Sequence, residues 1–189
     1  ISSDFDNDGI FSGLLLKEAI IELGGRAAIF TPNRVMEGYG VNSRIVEEAN
    51  ANGASVLLTC DNGIAAFEAI DEAKKLGMTV IVTDHHEVPF EEHDGKKTYF
   101  LPKADAIVDP KQEDCAYPFK SLCGTGVAYQ LMTLLFRRMK RTMSHQEIFL
   151  QYTAIATVAD VMELVGENRI LVRKGLSYLN HTNHIGLRA

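Results

Sequence analysis

A chain of 189 residues, 46% of them hydrophobic and 23% charged, can bury one substantial core and has the balance of an ordinary globular domain. Its net charge of −6 argues against an extended basic surface for nucleic acid, unless bound divalent ions cancel part of the acid. No apolar run approaches the roughly 20 residues of a membrane span, the acidic opening does not read as a secretory leader, and three cysteines without a CxxC pair fit a reduced, cytoplasmic protein.

In chain order, Ile1-Ser2-Ser3 reads as the tail of a strand, which makes the sequence look like a piece of a longer protein. Helical spacing runs from Ile10 to Leu23 and stops at Gly24-Gly25. Arg26 to Phe30 is a short apolar run, and a loop through Pro32 and Gly38-Tyr39-Gly40 follows. Asn42 or Ser43 can cap a second helix ending near Asn52-Gly53. Ser55 to Cys60 reads as a buried strand, Ile64 to Leu76 as a helix ending at Gly77, Met78 to Thr83 as another buried strand, and Ala106 to Val108 as a last short one. His93 to Lys103 reads as a surface excursion. From Gly124 the pattern is helical, over about Val127 to Met139, Ser144 to Val158 and Asn168 to Leu179, with Ser144 and Glu147 spaced as a capping box. The expected fold is α/β: a doubly wound, mainly parallel five-stranded sheet flanked by helices, with a helical C-terminal portion from about residue 124.

In such sheets, ligands sit beyond the carboxyl ends of the strands. The residues at those ends are Asp4, Asp6 and Asp8, then Asp61, then Asp84-His85-His86. The Asp4 to Gly9 stretch has the opening of an EF-hand loop, but the twelfth position from Asp4 is Leu15, inside an apolar helix, where calcium needs a bidentate Glu. A mixed carboxylate–imidazole set instead suits a pair of manganese, magnesium or zinc ions in phosphodiester hydrolysis. If the segment is extended, Asp6 and Asp8 point the same way, and Asp61 on an adjacent strand end can bridge two ions. Each piece alone is commonplace, since an Asp after a strand is usually a turn or cap residue. Three such clusters at three strand ends of one sheet carry more weight.

Val82-Thr83-Asp84-His85-His86 resembles the signature of the DHH phosphoesterase superfamily, Asp4–Gly9 its first motif and Thr59–Ile64 its second. Asn33–Gly40, Val108–Lys111, Tyr117–Ala128, Ala156–Val161 and Gly166–Arg169 resemble the RecJ branch, so the likeness spans residue 4 to about 180. The resemblance implies a DHH catalytic domain acting as a 5′→3′ exonuclease on single-stranded DNA, in repair and recombination, with two Mn²⁺ or Mg²⁺ ions as cofactors and DNA-repair proteins as further partners. It implies Asp6 on one metal, Asp8 on the other and Asp61 between them, with His85 and Asp160 completing the second site. Asp4 would bind or orient a ligand, His86 would face the scissile phosphate, and Arg34 would grip a substrate phosphate. The sequence departs from the pattern at Ser2, where a ligand position four residues before Asp6 holds a poor metal donor. The branch also has a following strand-binding domain, which this sequence is expected to lack.

Two other functions compete. One is a phosphodiesterase of short oligonucleotides or cyclic dinucleotides, and the other is a catalytically silent binding homologue. Several further residues read as structural. Asp109-Pro110 looks like a turn, and Gly124-Thr125-Gly126 fits close packing as well as a phosphate cradle. Arg137, Arg138, Lys140 and Arg141 look like a solvated helix end. His145, His181 and His184 read as surface residues, and Glu163 and Glu167 as partners in local hydrogen bonds.

Overall fold

The computed structural model describes residues 1–188. Strands β1 (Ser2–Ser3), β2 (Val56–Cys60) and β3 (Thr79–Thr83) are followed by an antiparallel hairpin, β4 (Phe90–His93) with β5 (Lys96–Tyr99), before β6 (Ala106–Val108) returns to the sheet. The four sheet strands run parallel in the order β1-β2-β3-β6. The Arg26–Phe30 run joins through one parallel bridge, Phe30 to Ser2, on the outer side of β1. Pro32 has no N–H with which to continue that pairing. The expected five-stranded sheet is therefore four strands with a bridged segment at its edge.

Counting that segment second, the spatial order is 2-1-3-4-5, which places a topological switch point between β1 and β2. Helix α1 (Asn7–Glu22) carries the chain outward from β1, while α2 (Ser43–Ala51) and α3 (Phe67–Lys75) carry it back across the sheet. Right-handed crossovers running in opposite directions put α1 on one face and α2 with α3 on the other. Strand alternation then divides the core: Leu58 packs with Leu15, Leu16 and Phe149 on the α1 face, and Leu57 with Ile45, Ile70 and Val80 on the other. The helical second half, α4 (Gly124–Arg138), α5 (Gln146–Ala159), α6 (Gly166–Leu179) and the short α7 (Ile185–Arg188), continues the α1 layer. Gly175 lets α6 approach α5 closely; a Cβ there would lie 2.2 Å from the Leu150 carbonyl oxygen.

Three local expectations change. Helix α1 begins at Asn7 rather than Ile10, because Asp6 caps it, accepting the Gly9 amide at 2.9 Å. The capping box at Ser144 is absent: the Ser144 N–H and hydroxyl both donate to Glu22, so α5 starts at Gln146 without a side-chain cap. The excursion at His93–Lys103 overlaps the β4–β5 hairpin, which starts earlier at Phe90 and turns at Asp94-Gly95 with φ of 51° and 75°, the left-handed pair that an Asp-Gly turn favours. Among the described residues, no helix is long and apolar enough to cross a membrane.

Candidate metal centre

The carboxyl ends of β1, β2 and β3 meet over the switch point, and the acids and imidazoles expected there come together. Three overlapping sets have donor atoms within 4.8 Å of one another: Asp4, Asp6 and Asp61; Asp8, His85 and Asp160; and Asp61, His85 and His86. Asp6 and Asp8 reach the cluster by a different route from strand alternation. Asp6 sits at the helix cap and Asp8 in the first turn of α1, so the extended geometry expected for this pair does not occur. Ser2 lies fully buried inside the sheet, paired with Thr59, and Asp4 supplies the third carboxylate of the set containing Asp6.

Each ligand candidate is held by its own local structure. Asp61 has φ of 59°, a left-handed conformation that a short acidic side chain tolerates, and Gly63 follows at 114°. Asn62, between them, donates to the carbonyls of Ser2 and Cys60 and accepts the Val41 amide, which joins β1, β2 and the loop ahead of α2. Asp8 accepts the amides of Gly124 and Thr125 at 2.5 and 2.7 Å, and its carbonyl takes the Thr125 hydroxyl at 3.0 Å. Those amides are the free donors at the positive end of α4, so a carboxylate is well placed there. The Gly124-Thr125-Gly126 turn therefore cradles this chain's own carboxylate. It also packs closely, since a Cβ on Gly124 would lie 2.7 Å from that of Asp61. Asp160 ends α5, and Val161 beside it has φ of 56°, a strained backbone for a β-branched residue.

Polar bookkeeping separates the cluster from its support. His85 Nε2 lies 3.0 Å from Asp61 Oδ1, 3.6 Å from Asp8 Oδ2 and 3.8 Å from Asp160 Oδ2. Despite these approaches, Asp61 Oδ1 and both His85 ring nitrogens are buried without an aligned hydrogen bond. Unpaired buried polar atoms are costly and rare in native proteins, and here two of them, Asp61 Oδ1 and His85 Nε2, face each other at 3.0 Å. Burial, then the charges of Asp8 and Asp6, push the Asp61 carboxyl up to about 11. Burial likewise raises Asp4 and Asp160 and lowers His85. Without a cation, the carboxylates repel one another and favour protonation. A donor set of carboxylates and one imidazole, with lone pairs left open, fits hard or borderline divalent ions.

Asp84 behaves differently. It is equally buried, yet its carboxylate accepts the amides of Ile64 at 2.9 Å, His85 at 2.7 Å and His86 at 3.2 Å, and it pairs with the His86 ring at 2.7 Å. Burial pushes it up, but the His86 ring and these amides outweigh burial and hold it below the usual carboxylate range. The same contact raises His86, whose side chain is 57% exposed. With Nδ1 turned to Asp84, the Nε2 edge of His86 is directed away from that support.

Arg34 stands on the exposed loop ahead of α2, its guanidinium 5.2 Å from the centroid of the Phe5 ring, between Asp4 and Asp6 in sequence. Asp109, at the end of β6, is buried; one oxygen takes the Lys111 amide, the other has no partner, and burial pushes the group up to about 6. The remaining expectations divide. Arg137 and Arg138 do lie in the last turn of α4. His145 pairs with Glu22 at 2.7 Å, His184 contacts the Tyr152 hydroxyl at 3.3 Å, and His181 is exposed. Glu167 bonds Tyr117 and Gln130 across α6, α4 and the connecting loop, so its hydrogen bonds are long-range rather than local. Asp84, Asn62 and the Gly124–Thr125 amides are the supporting groups whose roles the sequence left unassigned; the Gly-Thr-Gly at a helix start was the available signal for the last.

The family model of the DHH family, N-terminal domain, matches residues 1–157. This chain belongs to the DHH family. It is 38% identical over 188 residues to the single-stranded-DNA-specific exonuclease RecJ of Bacillus subtilis, covering 100% of this chain and 22% of that protein. It is 39% identical over 187 residues to the RecJ of Escherichia coli, covering 94% of this chain and 31% of that protein. A crystal structure of exonuclease RecJ bound to manganese superposes with a TM-score of 0.82 at 31% identity, over 99% of this chain and 45% of the other. The chain thus spans between about a fifth and a third of the length of these curated relatives.

Proposed function

We propose that this DHH chain is the metal-bearing catalytic core of a 5′→3′ exonuclease that hydrolyses single-stranded DNA with two divalent ions, manganese or magnesium. The observation that carries the reading is the convergence of two donor sets, Asp4-Asp6-Asp61 and Asp8-His85-Asp160, joined by the 3.0 Å approach of Asp61 to His85. Its likeness to RecJ proteins, one of them a manganese-bound structure, supports the choice of ion and substrate. In this reading Asp6 and Asp8 would hold different ions, Asp61 would be shared by both, His85 and Asp160 would complete the second site, and Asp4 would bind beside Asp6 or orient it.

Bound there, the ions would supply Lewis acidity toward the phosphate oxygens and make water more acidic. The protein's own groups do the rest. The helix α4 amides hold Asp8 in one orientation, and Asn62 holds the turn that carries Asp61. Asp84 fixes the His86 ring, and in its protonated form the exposed ring can donate to a phosphate oxygen as charge builds there. Arg34 offers a planar fork to the terminal 5′-phosphate. The test is manganese-dependent digestion of a 5′-labelled single strand by this chain and by Asp61→Ala. Stepwise release of mononucleotides from the 5′ end, abolished by the substitution, is expected. Cleavage confined to strands of a few nucleotides, or activity retained in Asp61→Ala, would overturn the reading.

A further inference from the structure

Beside the acids lies a patch of rings and apolar side chains that metal chemistry does not use. Phe5 stands between Asp4 and Asp6, and its ring centroid is 4.7 Å from that of Tyr39, at an interplanar angle of 37°. Tyr39 is nevertheless 74% exposed, and its loop neighbours Val35 and Met36 are 87% and 81% exposed. Single exposed apolar residues are ordinary, but a cluster of them beside a reactive centre marks a contact surface.

This loop is tied down at several points. Asn33 Oδ1 accepts the amides of Val35 and Met36, and the Glu37 carboxylate takes the Asn33 amide and pairs with Arg44. Arg44 also reaches Glu48 and the Thr31 carbonyl. At the far end of the loop, the Val41 amide donates to Asn62, the residue after Asp61. The rings therefore hold a fixed position beside both Asp61 and the Asp4–Asp8 segment.

We propose that the outer face of Tyr39, backed by Phe5, stacks a nucleobase of the strand whose phosphate lies at the acidic cluster. The inference rests on the single-stranded substrate proposed above and adds the subsite that holds its base. A base hangs one sugar away from its phosphate, so a phosphate at the acids brings a base to the adjoining wall. Aromatic rings beside an arginine form the usual sequence-tolerant platform for unpaired bases, because every base has a π-face. Asn33 and Glu37 spend their side chains on the loop's own backbone and on Arg44, so the wall presents flat apolar surface in place of base-reading polar groups.

The experiment compares the manganese-loaded chain with Tyr39→Ala and Tyr39→Phe on a 5′-phosphorylated single strand. A matched strand carries abasic residues flanking the first scissile phosphate. Tyr39→Ala is expected to raise KM roughly ten-fold with kcat little changed, while Tyr39→Phe retains the original KM. On the abasic strand, the unsubstituted chain is expected to fall to the level of Tyr39→Ala. Manganese uptake by calorimetry is expected to be the same in all three. Equal KM values for the unsubstituted chain and Tyr39→Ala on the intact strand would overturn the stacking wall, as would an equal further loss for both on the abasic strand. A chain that takes up manganese but cleaves no single strand would overturn the substrate reading itself, and this subsite with it.

Discussion

Asp61 and Asp84 stand at the ends of neighbouring strands, 2% and 1% exposed, and differ in what surrounds their carboxylates. Asp84 accepts three backbone amides and faces a histidine ring, and it is held in its charged form. Asp61 has an oxygen with no aligned donor, faces Asp8 and Asp6, and is pushed up to about 11. One carboxylate has its charge met by donors of the protein; the other has an oxygen with no donor. Burial and strand position are shared, so the hydrogen-bond inventory distinguishes a supporting acid from a candidate ligand.

The largest test of that contrast is Asp61→Asn. Manganese uptake by calorimetry is expected to be lost, together with the stabilisation of about 2.7 kcal/mol that the unsubstituted chain should gain at one hundred times its dissociation constant. Asp84→Ala should act on folding instead. Stranding the Ile64 and His85 amides and the His86 ring is expected to cost about 3 kcal/mol in urea unfolding, with Asp84→Asn costing less. A destabilised Asp61→Asn alongside a neutral Asp84→Ala would invert the comparison. Gly124→Ala touches both the backbone and the cluster, because its Cβ would meet that of Asp61 at 2.7 Å. An overpacking loss of about 2 kcal/mol is expected, with manganese affinity reduced roughly ten-fold or more.

The two acids also predict opposite pH dependences for the metal-free chain. The folded pKa of Asp61 lies above its unfolded value of roughly 4, so its contribution to stability is full below that value and is lost as pH rises toward about 11. Asp84, depressed on folding, contributes above roughly 4, and that contribution is lost on acidification. Urea midpoints in chelator should therefore fall between about pH 5 and 8, and Asp61→Asn should flatten that fall by about 1 kcal/mol per pH unit. An unchanged slope would remove Asp61 as its source. The smallest effect is expected from Thr125→Val, which deletes the hydroxyl bond to the Asp8 carbonyl but keeps the amide to its carboxylate. A loss of about 1 kcal/mol is expected, with manganese uptake nearly intact.

Much of this arrangement was legible in the sequence. The buried runs of β2 and β3, the Asn42 cap of α2 and the glycine stop after α3 follow from local chemistry, and the structure has them in place. The same rules misread Asp6, whose capping role starts α1 early and removes the assumed alternation with Asp8. They also misread Ser144, because Glu22, 122 residues away in sequence, took its donors. The Asp94-Gly95 turn, by contrast, follows from local turn chemistry.

By itself, the sequence determined which chemical groups stand at which strand ends, because periodicity and turn residues are local and acids after strands can be counted. Tertiary structure alone decided which groups are satisfied. The amides of Gly124 and Thr125 reach Asp8 across more than a hundred residues, that of Ile64 is drawn to Asp84 from 20 positions earlier in the chain, and Asp61 is left with an oxygen to share. Hydrogen bonds between distant segments depend on where the folded chain brings its backbone donors, and no local pattern encodes that.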